Sequence, residues 1–503
     1  MPPAASPGST AARRVPMRPS IDPPRTPVAE RAARIRFRRA LALMAMTLVV
    51  PGSAQLVAGS RRVGRIALRT WLALIVVALV SAIALAIDPE LGLRLAFAPG
   101  LLLLLRLGLV ALALGWAFLI VDAWRLGQPL TLSLGHRRAV VGVNGVLCFG
   151  VAGTLLFGAH LVNVQRDLVL TLSGDGVVSD AHDGRYNVLL IGGDSGPDRW
   201  GLRPDSMTVA SIDASTGRTV LISMPRNLKN FTFPAGSVMA RQFPKGFDAD
   251  YLNGVNTWAQ DHKELFPGDK DPGMTATISA IEGVTDLKIN YWAMVNLRGF
   301  SDLVDAVGGV TLNVRTPIPI GGIGSKVYGY VPAGTHRLTG HQALWYARSR
   351  ADSDDYSRMA RQKCVLNAML QQISPQSAIA HFSKIADASA ALISTDLPAS
   401  QFGTFAALAL KARGQRISTL SLVPPLINTG APDMDLVHRK VAEAIAKAEG
   451  DAPVVQAGGA GSGSGGGSKP KPRPSDQPIT GGSVGTLKTG YVANQADDLG
   501  SAC

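Results

Sequence analysis

Four apolar stretches in the first third of the chain, each bordered by charged residues, constrain its fold more than any other feature. They run over about 41–58, 70–87, 96–121 and 139–161. A membrane-spanning helix needs about 20 apolar residues. The second and fourth stretches qualify. The third is long enough but carries Arg106, which must snorkel or face protein. The first is interrupted by Pro51-Gly52-Ser53 and followed by Arg61, Arg62, Arg65 and Arg69. Loop arginines decide orientation, because they stay on the cytoplasmic side. Residues 1–39 hold nine arginines and two acids among many prolines, which reads as a disordered basic cytoplasmic tail. The arginines after the first stretch prefer the same side. Residues 41–60 therefore read as a re-entrant or interfacial segment, within a small helical membrane domain over 40–161. Loop 88–95, with Asp88 and Glu90 against one arginine, suits the outside; loop 122–138, with Arg125, Arg137 and Arg138, suits the inside. Spans at 70–87, 96–121 and 139–161 then place everything after residue 161 outside. A fourth span in the first stretch would put that region in the cytoplasm, against the charge rule.

The 503 residues carry 50 Lys+Arg and 36 Asp+Glu, a net charge of +14. Such an excess suits nucleic acid, anionic membranes or phosphorylated substrates. Its concentration around the spans makes it mostly topology, so no nucleic-acid partner is expected. Three cysteines exclude a dense disulfide scaffold and a four-cysteine zinc site. An oxidising compartment permits a Cys364–Cys503 bond; a buried Cys364 and an idle terminal thiol fit equally.

From residue 185 the pattern becomes globular. Tyr186–Ile191, Ser206–Ile212, Thr219–Ser223, Tyr291–Val295 and Val310–Val314 read as strands. Met274–Val284, Gly299–Ala306, Gly340–Arg348 and Arg358–Ile373 read as helices. This mixture implies an α/β fold, an α/β/α sandwich around a mixed sheet. Residues 376–450 add helices and the strand Ile417–Leu422. Residues 451–503, rich in Gly, Ser and Pro, read as a flexible tail.

Chemistry-bearing residues gather where strands and helices end: Asp194 after the first strand, Arg203 and Asp205 before the second, Arg226 after the third, and Arg348, Arg350, Asp354, Asp355, Arg358 and Arg361 around a helix boundary. Paired carboxylates suit a hard divalent cation that keeps some of its waters. Clustered arginines suit phosphate oxygens. Each motif alone is ordinary turn chemistry; together they describe a site for a pyrophosphate and its metal.

The series NVLLIGGDS (187–195), RPDSM (203–207), VLISMPRN (220–227), LNGVN (252–256), YWAMVNLRGFSDLVDAVGGV (291–310), AGTHRLTGHQALWYARSR (333–350) and DDYSRMARQ (354–362) resembles the LytR-CpsA-Psr family over 185–375. That family comprises membrane-anchored extracytoplasmic phosphotransferases. The resemblance implies transfer of a glycopolymer from polyprenyl pyrophosphate to peptidoglycan through a phosphodiester, with release of polyprenyl phosphate and a possible pyrophosphatase side reaction. It implies that Asp194 and Asp205 hold Mg²⁺ (or Mn²⁺). It implies that Arg226, Arg350 and Arg358 bind the pyrophosphate, and that Arg203, Arg348, Arg361 and Gln362 line or support the site. Asp355 is a candidate base. It also implies a lipid pocket, with candidate walls at 219–223, 276–284, 291–295 and 363–370. The chain departs from the family pattern at Asn227, usually Asp, and at Tyr251, usually Lys. High Ala, Gly and Arg with few lysines suggests a GC-rich, actinobacterial source. The competing reading is a non-catalytic regulator of envelope assembly that binds lipid-linked glycans; metal-dependent turnover separates the two.

Overall fold

A computed structural model describes residues 27–193, 203–322, 326–351, 353–372, 393–413, 415–450 and 492–499. Asp194, residues 376–392, most of the tail and Cys503 lie outside them. The chain divides into two compact units, one from the residues up to Ala82 with Leu107–Ala159, the other from Ile83–Arg106 with His160 onward.

The N-terminal helices are α1 (Pro27–Val49), α2 (Ser53–Ala58), α3 (Arg61–Ile87), α4 (Pro89–Ala96), α5 (Pro99–Leu126) and α6 (Leu134–Leu172). Three helices are long and apolar enough to cross a membrane: α3, α5 with its extension to Thr131, and α6. Helix α1 begins inside the segment read as a disordered tail. The first apolar stretch is a helix, a turn and a short second helix. Gly52 makes the turn at φ 90°. A Cβ there would lie 2.7 Å from the carbonyl oxygen of Gly64, so only glycine lets α2 start against α3. Ala40, Leu43, Met44 and Ala54 then share a small core with Ala123, Leu132 and Val140.

In the second unit, the strands are β1 (Arg185–Gly193), β2 (Pro204–Asp213), β3 (Thr219–Met224), β4 (Tyr291–Asn296), β5 (Val310–Val314), β6 (Ile318–Ile320), β7 (Gly329–Val331), β8 (Gly334–Leu338), β9 (Ile393–Thr395) and β10 (Ser418–Ser421). Helices α7 (Val238–Gln242), α8 (Val255–Asp261), α9 (Pro272–Thr285), α10 (Leu297–Ala306), α11 (Gly340–Arg348), α12 (Asp355–Gln372), α13 (Phe402–Arg413) and α14 (Met434–Glu449) alternate with them. The main sheet has the order β10-β3-β2-β1-β4-β9. It is mixed: β1 is parallel to β4 and β10 to β3, while the β1–β2, β2–β3 and β4–β9 pairs are antiparallel. Two hairpin-like pairs, β5–β8 and β6–β7, stand apart from it.

Strand side chains alternate between faces, and the two faces differ. Leu189, Ile191, Val209, Val220 and Ile222 enter the principal core with Ala276, Ile281, Val437 and Val441 of α9 and α14. Segment 276–284, expected among the lipid-pocket walls, is therefore core on this side. Asp271 caps α9 with Pro272 in its first turn, which fixes where that helix starts. The opposite face presents Leu190, Thr208, Leu221, Ala293 and Val295 to a cavity.

The described end of the chain is not free. Residues 492–499 lie beside β10, with a bridge between Ser418 and Asp498. Leu499 is 2% exposed and packs with Ala210 and Leu221. The Gly/Ser composition ends before this segment, and its apolar residue has a surface to cover. Cys364 is disulfide-bonded and Cys148 is a free thiol.

Candidate active site

Antiparallel pairing brings the C-terminal ends of β1 and β3 and the N-terminal end of β2 to one end of the sheet. Pro225 lacks the N–H needed to extend the β3 ladder, so the chain leaves the sheet there and carries Arg226 outward. Helix α11 is started by a reciprocal Thr339–Gln342 cap and stops at Arg348. Asp354 accepts from the Ser357 N–H and opens α12. Arg350 sits in the turn between these helices.

The result is a compact charge network. Asp205 Oδ1 lies 2.8 Å from Arg226 Nη1 and 3.4 Å from Arg358 Nη1. Asp355 Oδ2 lies 2.8 Å from Arg226 Nε. Asp355 Oδ1 lies 3.0 Å from Arg350 Nη1 and 3.7 Å from Arg358 Nη1. Arg358 also donates to the Asp205 carbonyl at 2.8 Å. Its side chain is only 2% exposed. Three arginines thus face two described carboxylates. The buried Nε atoms of Arg350 and Arg358 have no hydrogen-bond partner among the described residues. Unmatched buried donors are costly, and an anion would satisfy them.

The ionisation equilibria agree. Burial raises the Asp355 pKa, but Arg358, Arg226 and Arg350 outweigh it and hold the carboxyl below the usual range. Burial opposes the Arg226 charge, but Asp355 and Asp205 raise its pKa overall. In Arg358 burial wins, and its pKa is lowered despite the same carboxylates. Both Asp355 oxygens are engaged and its proton affinity is low. These contacts favour a positioning role for Asp355 over the base role expected for it.

Beside this network lies a cavity of about 340 Å³. Its walls are the second face of the sheet, Phe300 and Leu303 of α10, Leu344 and Ala347 of α11, and Met359, Val365, Leu366 and Met369 of α12. Asp205, Arg348, Arg358 and Gln362 also line it. Arg358 and Met369 are eleven residues apart on α12, about 16 Å at the α-helical rise. The cavity thus runs from a charged end to an apolar one. Of the expected lipid walls, 219–223, 291–295 and 363–370 contribute.

Two expected site arginines are placed elsewhere. Arg361 does not join the network. It is buried, and its guanidinium donates to the carbonyls of Tyr346, at 2.7 Å, and Ser349. It holds the α11–α12 turn. Arg203 pairs with Asp250 at 2.6 Å and is half exposed. At the departures from the family pattern, Asn227 leaves its Oδ1 buried without a partner among the described residues, and the exposed Tyr251 ring lies 5.3 Å from Lys229 Nζ.

Sequence reasoning missed Lys363, whose only signal is a cation on an otherwise cavity-facing helix. It lines the cavity, and its buried Nζ has no described hydrogen-bond partner. Burial pushes its pKa from 10.5 down to about 8. Below pH 8 the native state bears this buried charge. Between pH 8 and 10.5 it sheds the proton before the unfolded chain does, so stability rises with pH. Lys363→Met is expected to stabilise the protein at pH 7 by up to about 3 kcal/mol. The gain should shrink between pH 8 and 10.5. Thermal unfolding of both proteins across this range is the check; identical curves at pH 7 would contradict the buried charge.

Mg²⁺ takes hard oxygens, one or two carboxylates with substrate phosphates and water, and Asp205 presents such a group at the cavity. No group of three or more His, Cys, Asp or Glu that could hold a metal occurs among the described residues.

The α/β domain thus joins an apolar cavity to an arginine-rich end. The chain belongs to the LytR_cpsA_psr family, whose sequence profile matches residues 162–444. It is 26% identical over 272 residues to Biofilm regulatory protein A of Streptococcus mutans, covering 52% of this chain and 62% of that one. It is 29% identical over 295 residues to the cell wall biosynthesis protein LcpA of Corynebacterium glutamicum, covering 51% and 54%. It is 27% identical over 214 residues to the polyisoprenyl-teichoic acid–peptidoglycan teichoic acid transferase TagU of Halalkalibacterium halodurans, covering 42% and 61%. The chain therefore covers less than two thirds of these relatives' own length. Among solved structures it is similar to Bacillus subtilis TagV, with 23% identity, 54% of this chain and 100% of that one covered, and a TM-score of 0.39.

Proposed function

We propose that the protein transfers a glycopolymer from a polyprenyl-pyrophosphate carrier to peptidoglycan at the outer face of the plasma membrane. The carrying observation is the cavity, which joins an apolar interior to arginines with unmatched donors. Burying hydrocarbon contributes about 0.8 kcal/mol per CH₂. A lipid carrier gains this and a soluble nucleotide does not. The names of LcpA and TagU, for cell-wall biosynthesis and for transfer of teichoic acid to peptidoglycan, support the same class of reaction.

In this reading an acceptor hydroxyl attacks the phosphorus nearest the glycan. A P–O bond to the acceptor forms, the bond to the bridging oxygen breaks, and its electron pair leaves on polyprenyl phosphate; the hydroxyl proton passes to solvent. Arg226, Arg350 and Arg358 bind the phosphate oxygens and stabilise the charge that develops on them. Asp355 and Asp205 keep those guanidinium groups in place. Asp205, with Asp194, would hold Mg²⁺ (or Mn²⁺), which when bound would neutralise phosphate charge.

Loop charge supports this orientation. Helix α4, capped by Asp88, packs on α13. A Cβ at Gly403 would lie 2.5 Å from the Arg94 Cα, and Lys411 Nζ lies 2.5 Å from Glu90 Oε1. This contact supports placing the α3–α5 loop on the side of the α/β domain. Its acidic character and the arginine-rich opposite flanks support an outside location for that side.

The test is release of polyprenyl phosphate from a lipid-pyrophosphate glycan by the full chain in detergent, with and without Mg²⁺. Release with coupling to peptidoglycan is expected. A folded protein that binds the donor without turnover would leave only the regulatory reading.

A further inference from the structure

Beyond the cavity, the other flank of α11 carries aromatic rings that the transfer reading does not use. Tyr328 and Tyr330 are 67% and 59% exposed. Tyr330 lies in β7, and Tyr328 directly precedes it, its N–H donating to the Ile320 carbonyl at 2.9 Å and so extending the pairing with β6, which sets the two rings on the same side. The Tyr328 ring meets Trp345 edge-on, with centroids 6.2 Å apart. Its hydroxyl lies 3.4 Å from Nε2 of exposed His341, and the His341 ring lies 6.4 Å from Trp345. His341, Trp345 and Arg348 recur at i, i+4 and i+7, one face of α11.

Arg348 joins this group to the site. Its guanidinium lies 5.6 Å from the Trp345 ring centroid, and the same side chain lines the cavity. The rings therefore continue outward from the cavity wall.

An exposed apolar group of this kind marks an interaction surface, and its chemistry narrows the partner. Each ring offers a flat, electron-rich face together with a hydroxyl or ring nitrogen at its edge. Tyr and Trp supply that contact area at low conformational cost. A pyranose is complementary: its C–H face stacks on rings, and its hydroxyls meet the polar edges. Resting on the transfer reading, we propose that Tyr328, Tyr330, Trp345 and His341 form a stacking platform for the first sugars of the donor glycopolymer. Those sugars are covalently joined to the phosphate held by the arginines, so they must leave the site along a wall that begins at its cationic end. Arg348 provides that continuity.

The experiment measures binding of farnesyl pyrophosphate and of farnesyl-pyrophosphoryl-chitotetraose to the full chain in detergent. Tyr328→Ala and Tyr330→Ala should each weaken the sugar-bearing probe by about tenfold. Both should leave farnesyl pyrophosphate within about twofold, and Tyr330→Phe should retain most of the sugar affinity. Equal affinity of the two probes in the parent, or equal losses for both in the variants, overturns the platform. So does a loss confined to peptidoglycan or to glycan-free anionic vesicles, which would make the rings an acceptor or membrane contact. Free chitotetraose separates this proposal from the transfer reading. If farnesyl pyrophosphate fails to bind, the transfer reading falls, while weaker binding of the free sugar by both alanine variants would still show the platform.

Discussion

Arg350→Ala is expected to fold like the parent and to lose transfer by a factor of about 10³, the scale seen when one preorganised donor to a developing oxyanion is removed. Arg350 is a quarter exposed and lies in a turn, with one ion pair to Asp355. Asp355 keeps Arg226 and Arg358, so little stability should be lost. The unmatched Nε of Arg350 is buried, and the phosphate that would satisfy it carries more charge in the transition state than in the ground state. The loss should therefore fall mainly on kcat. Arg350→Lys should recover only a small part, because an ammonium cannot reproduce the guanidinium fork. Full turnover by the alanine variant, with an unchanged unfolding temperature, would remove Arg350 from the reaction.

Asp355→Asn should behave differently, losing stability as well as activity. Three guanidinium groups lie within 3.7 Å of this carboxylate, and Arg358 is almost wholly buried. Removing one partner of such a group costs about 3–5 kcal/mol, because buried charge is left uncompensated. The sign with pH follows from the lowered pKa. The carboxylate's contribution is present above its unfolded value of 3.8 and is lost as pH falls through the lower folded value. The gap between parent and variant should therefore be full at pH 6 and shrink only below 3.8, as pH falls through the lower folded value. Chemical or thermal unfolding at several pH values measures it. A stable variant would show that Asp355 does not hold the arginines. If Asp355 were instead the base, activity would need its protonation cycle. With a depressed pKa, no acidic limb assigned to it should appear between pH 5 and 8.

These two residues show what could be read early. The resemblance named Asp205, Arg226, Arg350, Arg358 and Asp355 as one group. Their assembly depends on contacts between residues far apart in sequence: Arg226 and Asp355 are 129 positions apart, Asp205 and Arg358 153. Arg361 shows the limit. It follows Arg358 by only three residues, yet its guanidinium is taken by the carbonyls of Tyr346 and Ser349 in the preceding turn. Lys363 was hidden as well, because its burial comes from the packing of α12 around the cavity and from nothing local. The platform at Tyr328 and Trp345 was also invisible, because two tyrosines and a tryptophan in separate elements carry no pattern until β7 is laid beside α11.

Local patterns were enough for part of the elements. The span lengths, the arginine bias of the loops, the helix 340–348 with its cap and the strand 310–314 all rest on interactions within a few residues or with the surrounding solvent. Periodicity also told which residues of a strand share a face. It could not tell which face meets helices α9 and α14 and which closes the cavity, since both are apolar. That was decided by chain topology. The β1–β2–β3 order brings three strand ends together, the crossover through α9 fills one face, and α10 to α12 roof the other. Nor could composition tell that 492–499 would return to β10, because the surface that Leu499 covers is made by β2 and β3. The sequence by itself settles charge, periodicity and capping, which are local free energies. Which buried cation is matched, and which is left open for a ligand, is a property of the assembled packing.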